Sequence, residues 1–386
     1  MKRSLSYWIV VICALVIPLS SCEKSDVKEP ELDRVILLYM AANNNLSSYA
    51  EYNLSALTQG YIPSDDSRQI LLVYQHLEGK NPKLVRMFKE TDGTIKEEVV
   101  AQYDDHNSAT GDVLRVVLGK MKAVFPSKEY GLILWSHATG WLPQGYYNSV
   151  QHAAFFEDPY KEIVKSFGED RGIEMEIKEL KDALPFRFSF IIFDCCLMGG
   201  VETLYELKDK ADYIIASPTE ILANGFPYRV VMEPLFKSRI QLDRACELFY
   251  QYYDSQFGVN KSATIALYRT DKVEQLSAVC KSIFDNHREA LETVTTDGLQ
   301  PYFRLNKRWY WDLSDFIYSI ATPLEREQFD NALNQVVIGK WNTPNFLDIE
   351  INTFSGLSTY IQSPKNSYLD NFYKDLDWNI QTGMIK

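Results

Sequence analysis

The chain has 386 residues, of which 46% are hydrophobic, and a formal net charge of −12. This length and hydrophobic content predict one large or two modest domains with a packed core. The acidic balance, with no basic stripe, argues against nucleic acid as a partner, and the four cysteines that follow residue 22 are too few in so long a chain for a disulfide framework.

Residues 1–21 have the pattern of a secretory signal peptide. A basic start precedes an uncharged apolar run at 7–19 that is too short to span a bilayer as a helix. The segment LSSC at 19–22 resembles a bacterial lipobox, in which cleavage leaves Cys22 as the lipid-bearing first residue. We therefore predict a charged, flexible tether at 22–33 and a lipid anchor at the bacterial cell envelope, on the outer membrane or the cell surface. The alternative is an ordinary signal peptide followed by a chance cysteine.

From residue 34 onwards, strand-like apolar runs alternate with helix-like periodic stretches. The predicted strands are 34–41, 69–78, 130–135, 187–195, 211–220, 262–270 and 356–362, with a hairpin at 83–100 that turns at Asp92-Gly93. The predicted helices are 46–57, 110–125, 177–184, 197–209, 243–258 and 272–293. This alternation predicts an α/β fold with a mostly parallel central sheet and helices on both faces. Only 142–172 lacks any sustained pattern, and a connection this long is usually functional or mobile.

Two residues that can carry chemistry come directly after predicted strands. The sequence contains no phosphate loop, zinc signature, Cys-x-x-Cys pair or Gly-x-Ser-x-Gly elbow, which excludes most nucleotide, zinc and serine-hydrolase functions. His137 follows LILW, and Cys196 follows FIIFD and Cys195. In open parallel sheets, ligands bind at the carboxyl ends of the strands. If these two strands are neighbours, the imidazole and the thiol meet there.

The adjacent cysteines are predicted to differ in role. Neighbouring cysteines cannot bridge comfortably, which argues against a disulfide between them. We predict Cys196 in the first turn of a helix at 197–208, where unpaired N–H groups and the helix dipole favour a thiolate. Cys195 is predicted to pack as a small apolar residue. The alternative is that both are buried structural cysteines, which are common.

These segments match a known family. YGLILWSHATGW, FIIFDCCLMGGVETLYEL and ADYIIASPTEILANGFPY resemble the clostripain family of cysteine peptidases, in the caspase–gingipain–legumain superfamily. The resemblance extends from VILLYMAANNNL to GLSTYIQ, so 34–386 is predicted to be one clostripain-like peptidase domain. It implies a caspase-like α/β/α sandwich and a cysteine endopeptidase that works through a thioester.

The resemblance also implies roles for single residues. His137 matches the catalytic histidine, and Cys196 matches the nucleophile. Asp194 matches an acid that lines the pocket for a basic P1 side chain, with a helix-capping carboxylate as the alternative. Backbone N–H groups of Cys196 and near Ala138 are candidates for the oxyanion hole.

Four positions depart from the family pattern. Ala138 follows His137 where the family often has glycine, and Asn43 stands near the start where an acid is usual. Asn224 stands where a second pocket acid is common, with Phe226 in place of Trp. One carboxylate fewer weakens the predicted preference for Arg or Lys at P1, because a buried cation needs charge-matched partners.

Family members are often zymogens that cut themselves between the His strand and the Cys strand. The basic residues of 142–172 are Lys161, Lys165 and Arg171, and a Lys/Arg-selective enzyme must use one of them. The alternative is a surface loop that stays intact.

We predict a monomer that acts on proteins or peptides without a cofactor; calcium dependence is known in the family, but no calcium loop is present. Two other functions remain open: a non-catalytic surface-binding protein on the same scaffold, and a Cys-dependent amidase or transferase.

Overall fold

The computed structural model describes residues 32–147, 170, 173–304, 309–362 and 367–386. The strands are β1 (Leu32–Ala42), β2 (Gln69–Leu77), β3 (Lys83–Lys89), β4 (Ile95–Gln102), β5 (Ser127–Trp135), β6 (Phe188–Asp194), β7 (Ala211–Ala216), β8 (Thr264–Arg269), β9 (Trp311–Asp312), β10 (Val337–Asn342), β11 (Asn345–Phe346), β12 (Ile349–Glu350) and β13 (Ser358–Thr359). The α-helices are α1 (Ser47–Thr58), α2 (Gly111–Val124), α3 (Ile177–Ala183), α4 (Val201–Glu206), α5 (Tyr228–Leu235), α6 (Leu242–Asp254), α7 (Val273–Asn286), α8 (Arg288–Thr293), α9 (Leu313–Ile320), α10 (Pro323–Val336), α11 (Ser367–Lys374) and α12 (Asp377–Thr382).

A nine-stranded sheet with the order β10-β8-β7-β6-β5-β1-β2-β3-β4 forms the centre of the fold. In this sheet all strands but β3 and β8 run in the same direction, and the neighbours from β7 to β2 pair in parallel. Helices α1, α5 and α6 pack on one another, and α2, α3, α4, α7, α10 and α12 form a second packed group. The sheet between these groups confirms the predicted α/β/α sandwich. Its central strands are almost continuously apolar because both faces are covered.

The pairing of β5 with β6 confirms that the His strand and the Cys strand are neighbours. The two strands are parallel, with register partners from Gly131↔Phe190 to Trp135↔Asp194. The glycine is required here, because a Cβ at Gly131 would lie 2.3 Å from the Phe190 ring. This register places the carboxyl ends of β5 and β6 at the same level of the sheet edge.

The helix predicted at 197–209 is wrong at its start, because α4 begins only at Val201. The chain before it is drawn into long-range backbone pairing: Leu197 N–H donates to Thr219 O and Gly199 N–H donates to Ser217 O. Leu197 also has φ 62, which a helical residue does not adopt. Cys196 therefore does not lie in the first turn of a helix, and the predicted dipole effect on its thiol is lost.

Smaller differences concern element ends. The predicted strand at 356–362 is limited to β13, which pairs with β9 in a separate two-stranded sheet. The predicted helix at 272–293 is divided at His287 into α7 and α8. The predicted hairpin is confirmed as β3 and β4, and β1 begins two residues inside the predicted tether.

Several sequence predictions lie outside the described residues. They are the signal peptide, Cys22 with most of the tether, and the candidate cleavage residues Lys161, Lys165 and Arg171. Within the part that is described, no helix is long and apolar enough to cross a bilayer. Residues Leu32–Lys386 cluster as one compact unit.

Candidate active site

His137 lies two residues after the end of β5, in a loop that runs across the sheet edge. Its side chain is almost wholly buried, and its Nε2 is 2.6 Å from Oδ1 of Asn45, in the loop between β1 and α1. An amide oxygen only accepts hydrogen bonds, so this contact favours the tautomer with the proton on Nε2. Sequence analysis missed Asn45. The signal was available in the polar run that follows β1, because β1 is the other neighbour of β5.

Cys196 lies two residues after Asp194, the register partner of Trp135, so it occupies the position equivalent to His137 on the neighbouring strand. Its Sγ accepts a hydrogen bond from Ile221 N–H at 3.0 Å and lies 3.5 Å from Ile221 O. Its side chain has no solvent exposure in this uncut chain. The strand register thus brings the two predicted dyad residues to one edge of the sheet.

The second cysteine has different surroundings. Cys195 is also fully buried, as predicted, but its Sγ lies near Leu134 O, at 3.8 Å, on the β5 side. The other two cysteines among the described residues, Cys246 and Cys280, are buried as well, and burial raises the pKa of both thiols. Cys246 lies within α6 and Cys280 within α7, so neither follows a strand at the sheet edge that carries His137.

The loops that carry the two residues touch each other. Gly140 has φ 60, and a Cβ there would lie 2.5 Å from the backbone oxygen of Leu197. Tyr310 Oη donates a hydrogen bond to Thr139 O in the same loop. Trp141, at the end of the loop, packs on the rings of Tyr360 and Tyr373, with centroid distances of 4.9 and 5.1 Å. The loop after His137 is therefore fixed from both sides.

Asp194 is fully buried at the end of β6 and contacts the segment LANGFPY. Its Oδ2 accepts hydrogen bonds from Phe226 N–H at 3.1 Å and from Tyr228 Oη at 2.8 Å. Burial and the nearby carboxylate raise the pKa of Tyr228, which keeps the phenol a donor. The capping alternative does not hold for α4, whose N-cap is Gly200.

Asn224 lies on an exposed turn of the same segment. Its backbone oxygen accepts a hydrogen bond from Asn53 Nδ2 at 2.8 Å, and Gly225 N–H closes the turn onto Leu222 O. The structure therefore brings Asp194 into contact with the segment that carries Asn224, through Phe226 and Tyr228. Ala138 is fully buried beside His137.

A polar cluster, buried except for half-buried Asn43, lies at the same sheet edge, and sequence analysis assigned it no role. It consists of Asp170, His76 at the end of β2, Ser108 in the loop before α2, and Asn43 after β1. All of these elements end at the same sheet edge as β5 and β6, because β1 and β2 continue the parallel part of the sheet. In the described residues, no group of three or more His, Cys, Asp or Glu side chains is arranged to hold a metal ion.

Comparison with known proteins agrees with this geometry. The model of the Clostripain family matches residues 38–381. An inactive zymogen of a C11 protease from Parabacteroides distasonis is 32% identical, with a TM-score of 0.79, and the match covers 92% of this chain and 99% of that one. A secreted C11 cysteine protease from Bacteroides thetaiotaomicron, solved with an irreversible peptide inhibitor, is 28% identical, with a TM-score of 0.77, and the match covers 91% and 98%. No curated protein sequence matches the chain.

These similarities extend over almost the whole described fold, so the sheet and its two helical layers are the caspase-like sandwich that the sequence predicted. They also exclude a chance motif match, because the family model includes both the strand before His137 and the strand before Cys196. The chain belongs to the clostripain family and is a cysteine peptidase.

Proposed function

We propose that the protein is an endopeptidase whose catalytic dyad is Cys196 and His137. The observation that carries this proposal is the register of β5 with β6, which puts both residues at equivalent positions on one sheet edge. A thiol nucleophile needs a general acid–base group within reach, and His137 is the histidine that follows the neighbouring strand. The family membership supports the same assignment.

The proposed reaction has two steps. The Cys196 thiolate attacks the scissile carbonyl carbon, and the C–N bond breaks as protonated His137 gives its proton to the leaving amine, which leaves the acyl group on sulfur as a thioester. Water then loses a proton to His137 and attacks the thioester, which releases the carboxylic acid and restores the thiolate. Backbone N–H groups of Cys196 and near Ala138 would hold the oxyanion in both steps. With Nε2 bonded to Asn45, Nδ1 is the nitrogen that exchanges this proton.

We propose a P1 preference for Arg or Lys, centred on Asp194. Hydrogen bonds from Phe226 and Tyr228 fix this carboxylate against the turn that carries Asn224. A second carboxylate is missing at Asn224, so the preference should be weaker than in a pocket with two acids. Asp194→Asn keeps an oxygen acceptor for both bonds and should lower hydrolysis of basic substrates selectively.

We further propose that the uncut chain is a zymogen that cuts itself within 142–172. The complete burial of Cys196 and the similarity to an inactive zymogen support this. The candidates are Lys161, Lys165 and Arg171. Reciprocal hydrogen bonds between Asp170 and Ile173, at 3.0 and 3.2 Å, flank Arg171. A cut between Asp170 and Ile173 would have to open these two bonds, so we favour Lys161 or Lys165 as the cleavage residue.

Export is part of the same proposal. The signal peptide at 1–21, the tether at 22–33 and lipidation of Cys22 would place the domain 34–386 on the bacterial surface or outer membrane. The similar protease from Bacteroides thetaiotaomicron is a secreted one, which supports export. Its substrates would then be proteins or peptides outside the cytoplasm.

Fluorogenic peptides with Arg, Lys or a neutral residue at P1 test these proposals. Wild type should hydrolyse the basic substrates fastest, Cys196→Ala and His137→Ala should be inactive, and Cys195→Ala should keep most of the activity. If Cys195→Ala folds but is inactive while Cys196→Ala is active, the assignment of Cys196 as the nucleophile is wrong. Cleavage only after neutral residues would contradict the P1 proposal, and a peptide-library digest would separate an endopeptidase from an amidase or transferase.

A further inference from the structure

Asp170 is a fully buried carboxylate with an unusually complete set of partners. Its Oδ1 accepts a hydrogen bond from Asn43 Nδ2 at 2.9 Å. Its Oδ2 accepts from the N–H and the hydroxyl of Ser108, at 2.7 and 2.8 Å, and lies 3.3 Å from His76 Nδ1. Burial alone would raise the pKa of Asp170, but the His76 imidazole beside it and the hydrogen bonds from Ser108 hold the pKa below its usual value. Burying a carboxylate costs free energy unless the carboxylate is paired. The partners of Asp170, which are Asn43, His76 and Ser108 and are called the Asp170 socket below, therefore fix its carboxylate in one place.

The Asp170 socket is linked to the dyad through the loop after β1. Asn43 contacts Asp170, and Asn45, two residues later, contacts His137. Between them Asn44 stiffens the loop, because its Oδ1 accepts from Leu46 N–H at 2.9 Å and its Nδ2 donates to Ala41 O at 3.3 Å. A displacement at Asn43 is therefore transmitted over two residues of restrained backbone to the partner of His137.

We propose that Asp170 is a positioning residue for His137, which acts through Asn43 and Asn45 to hold the imidazole in the orientation the dyad needs. This inference rests on the proposed function, because it presupposes that His137 is catalytic. Asp170 also lies in the chain between the dyad strands, after Lys161 and Lys165. A cut at either lysine leaves it on the fragment that carries Cys196, while His137 and Asn43 belong to the other fragment. The Asp170 socket would then align the two halves of the site.

A purely structural role predicts different behaviour. Such a socket would lower the free energy of unfolding when it is disturbed, but it would leave the tautomer of His137 and the chemistry unchanged. The variants Asp170→Asn and Asn43→Ala disturb the path to Asn45. Asn107→Ala is the matched control: Asn107 Nδ2 donates to the backbone oxygen of Asp170 at 3.2 Å and its Oδ1 accepts from Ala109 N–H at 2.7 Å, so the change disturbs the same loop without removing a partner of the Asp170 carboxylate.

The first measurement is the ¹⁵N spectrum of the His137 ring in a full chain that carries Cys196→Ala, so that no self-cleavage interferes. We expect a ring with its proton on Nε2 in the parent and in Asn107→Ala, and a mixture of tautomers in Asp170→Asn and Asn43→Ala. The second measurement is kinetic, in chains that retain Cys196. There the two path variants should lose about tenfold to a hundredfold in kcat with little change in KM, as for a slightly misplaced catalytic group.

A parent-like His137 spectrum in a folded Asn43→Ala chain would overturn the proposal, even if Asp170→Asn fails to fold. Equal kinetic losses in Asn107→Ala would also overturn it. The proposed dyad and the proposed role of Asp170 can be contradicted independently. A fully active His137→Ala would contradict the dyad. The spectrum reports the link from Asp170 to His137 whether or not peptides are cleaved.

Discussion

Asn45 contacts Nε2 of His137 and favours the tautomer in which that nitrogen carries the proton. Replacing it with alanine removes the acceptor for Nε2, 2.6 Å away, and lets the ring rotate or change tautomer. Asn45→Ala should lower kcat/KM about tenfold, which corresponds to one hydrogen bond of about 1.4 kcal/mol. Asn45→Asp keeps an oxygen acceptor and stabilises the imidazolium, so it should retain activity and shift the alkaline limb of the pH profile upwards. Steady-state kinetics between pH 5 and pH 9 measure both effects, and Ser48→Ala, on the exposed side of α1, serves as the control. Unchanged kinetics in Asn45→Ala would contradict the assigned tautomer.

Gly140 and Gly145 form a matched pair in the loop after β5. Both have positive φ, 60 and 71, so an alanine costs similar backbone strain at either position, about 1–2 kcal/mol. Only at Gly140 would the new Cβ collide with another atom, Leu197 O, whereas nothing lies within 4 Å at Gly145. Gly140→Ala should therefore push the His loop away from the Cys loop and abolish most activity, while Gly145→Ala should change only stability. Thermal unfolding and kcat/KM of both variants test this, and equal activities would show that the loops tolerate separation.

At the scale of elements, helix α4 carries a buried acid that ties the sheet edge to the carboxyl-terminal segments. Oε1 of Glu202 accepts hydrogen bonds from Tyr373 Oη at 2.6 Å, and from Tyr360 N–H and Thr359 Oγ1 at 2.9 Å. Its Oε2 has no hydrogen-bond partner in the described part of the chain. Burial raises the pKa of Glu202 despite the hydrogen bonds to Oε1. The folded state therefore keeps the proton of this carboxyl to a higher pH than the unfolded state does.

This linkage has a definite sign. A folded-state pKa above the usual value means that stability is greatest below about pH 4.5 for this group and is lost as pH rises through the folded pKa. Glu202→Gln is always neutral and keeps the oxygen acceptor, so it should gain stability relative to wild type between pH 5 and pH 8, by about 1.4 kcal/mol per unit of pKa shift. Urea unfolding at both pH values measures the gain, with exposed Glu292→Gln as the control. If Glu202→Gln is less stable than wild type and the difference is larger at pH 8 than at pH 5, the linkage is contradicted.

The strands and helices that could be predicted from the sequence are those that are determined by residues close together in the chain. Apolar runs gave β1, β2, β5 and β6, and the glycine at Gly131 is compatible with the tight pairing that the structure has. The start of α4 could not be predicted, because Gly199 and Leu197 are held by Ser217, Thr219 and Ser358, which are distant in sequence. The partners of His137 and Asp170 were missed for the same reason. Strand order, which determines these contacts, was only partly readable from the chain.

At the scale of the whole molecule, the proposed cleavage would divide one sheet between two fragments. A cut within 142–172 leaves β1 to β5 on one fragment and β6, β7, β8 and β10 on the other, joined at the β5–β6 seam. Other contacts cross the same division. Arg34 of β1, which is almost wholly buried, donates to the backbone oxygens of Leu235 at 3.0 Å and Lys237 at 2.7 Å. The fragments should therefore stay together as a noncovalent pair.

Purified wild type should accordingly show two bands under denaturing conditions but a single peak in size-exclusion chromatography, while Cys196→Ala stays whole in both.

Arg34→Ala removes donors to the second fragment and leaves carbonyl oxygens near α5 unpaired, at a cost of about 1–3 kcal/mol for each buried group that stays unsatisfied. In the cut enzyme this loss weakens association, so the urea concentration that separates the fragments should fall. In an uncut Cys196→Ala chain the same change should lower only the unfolding midpoint, because the connection keeps the halves together. If the fragments separate in native buffer, they do not share the sheet as proposed. If wild type is fully active and remains one chain, self-activation is ruled out, and the peptidase assignment is unaffected.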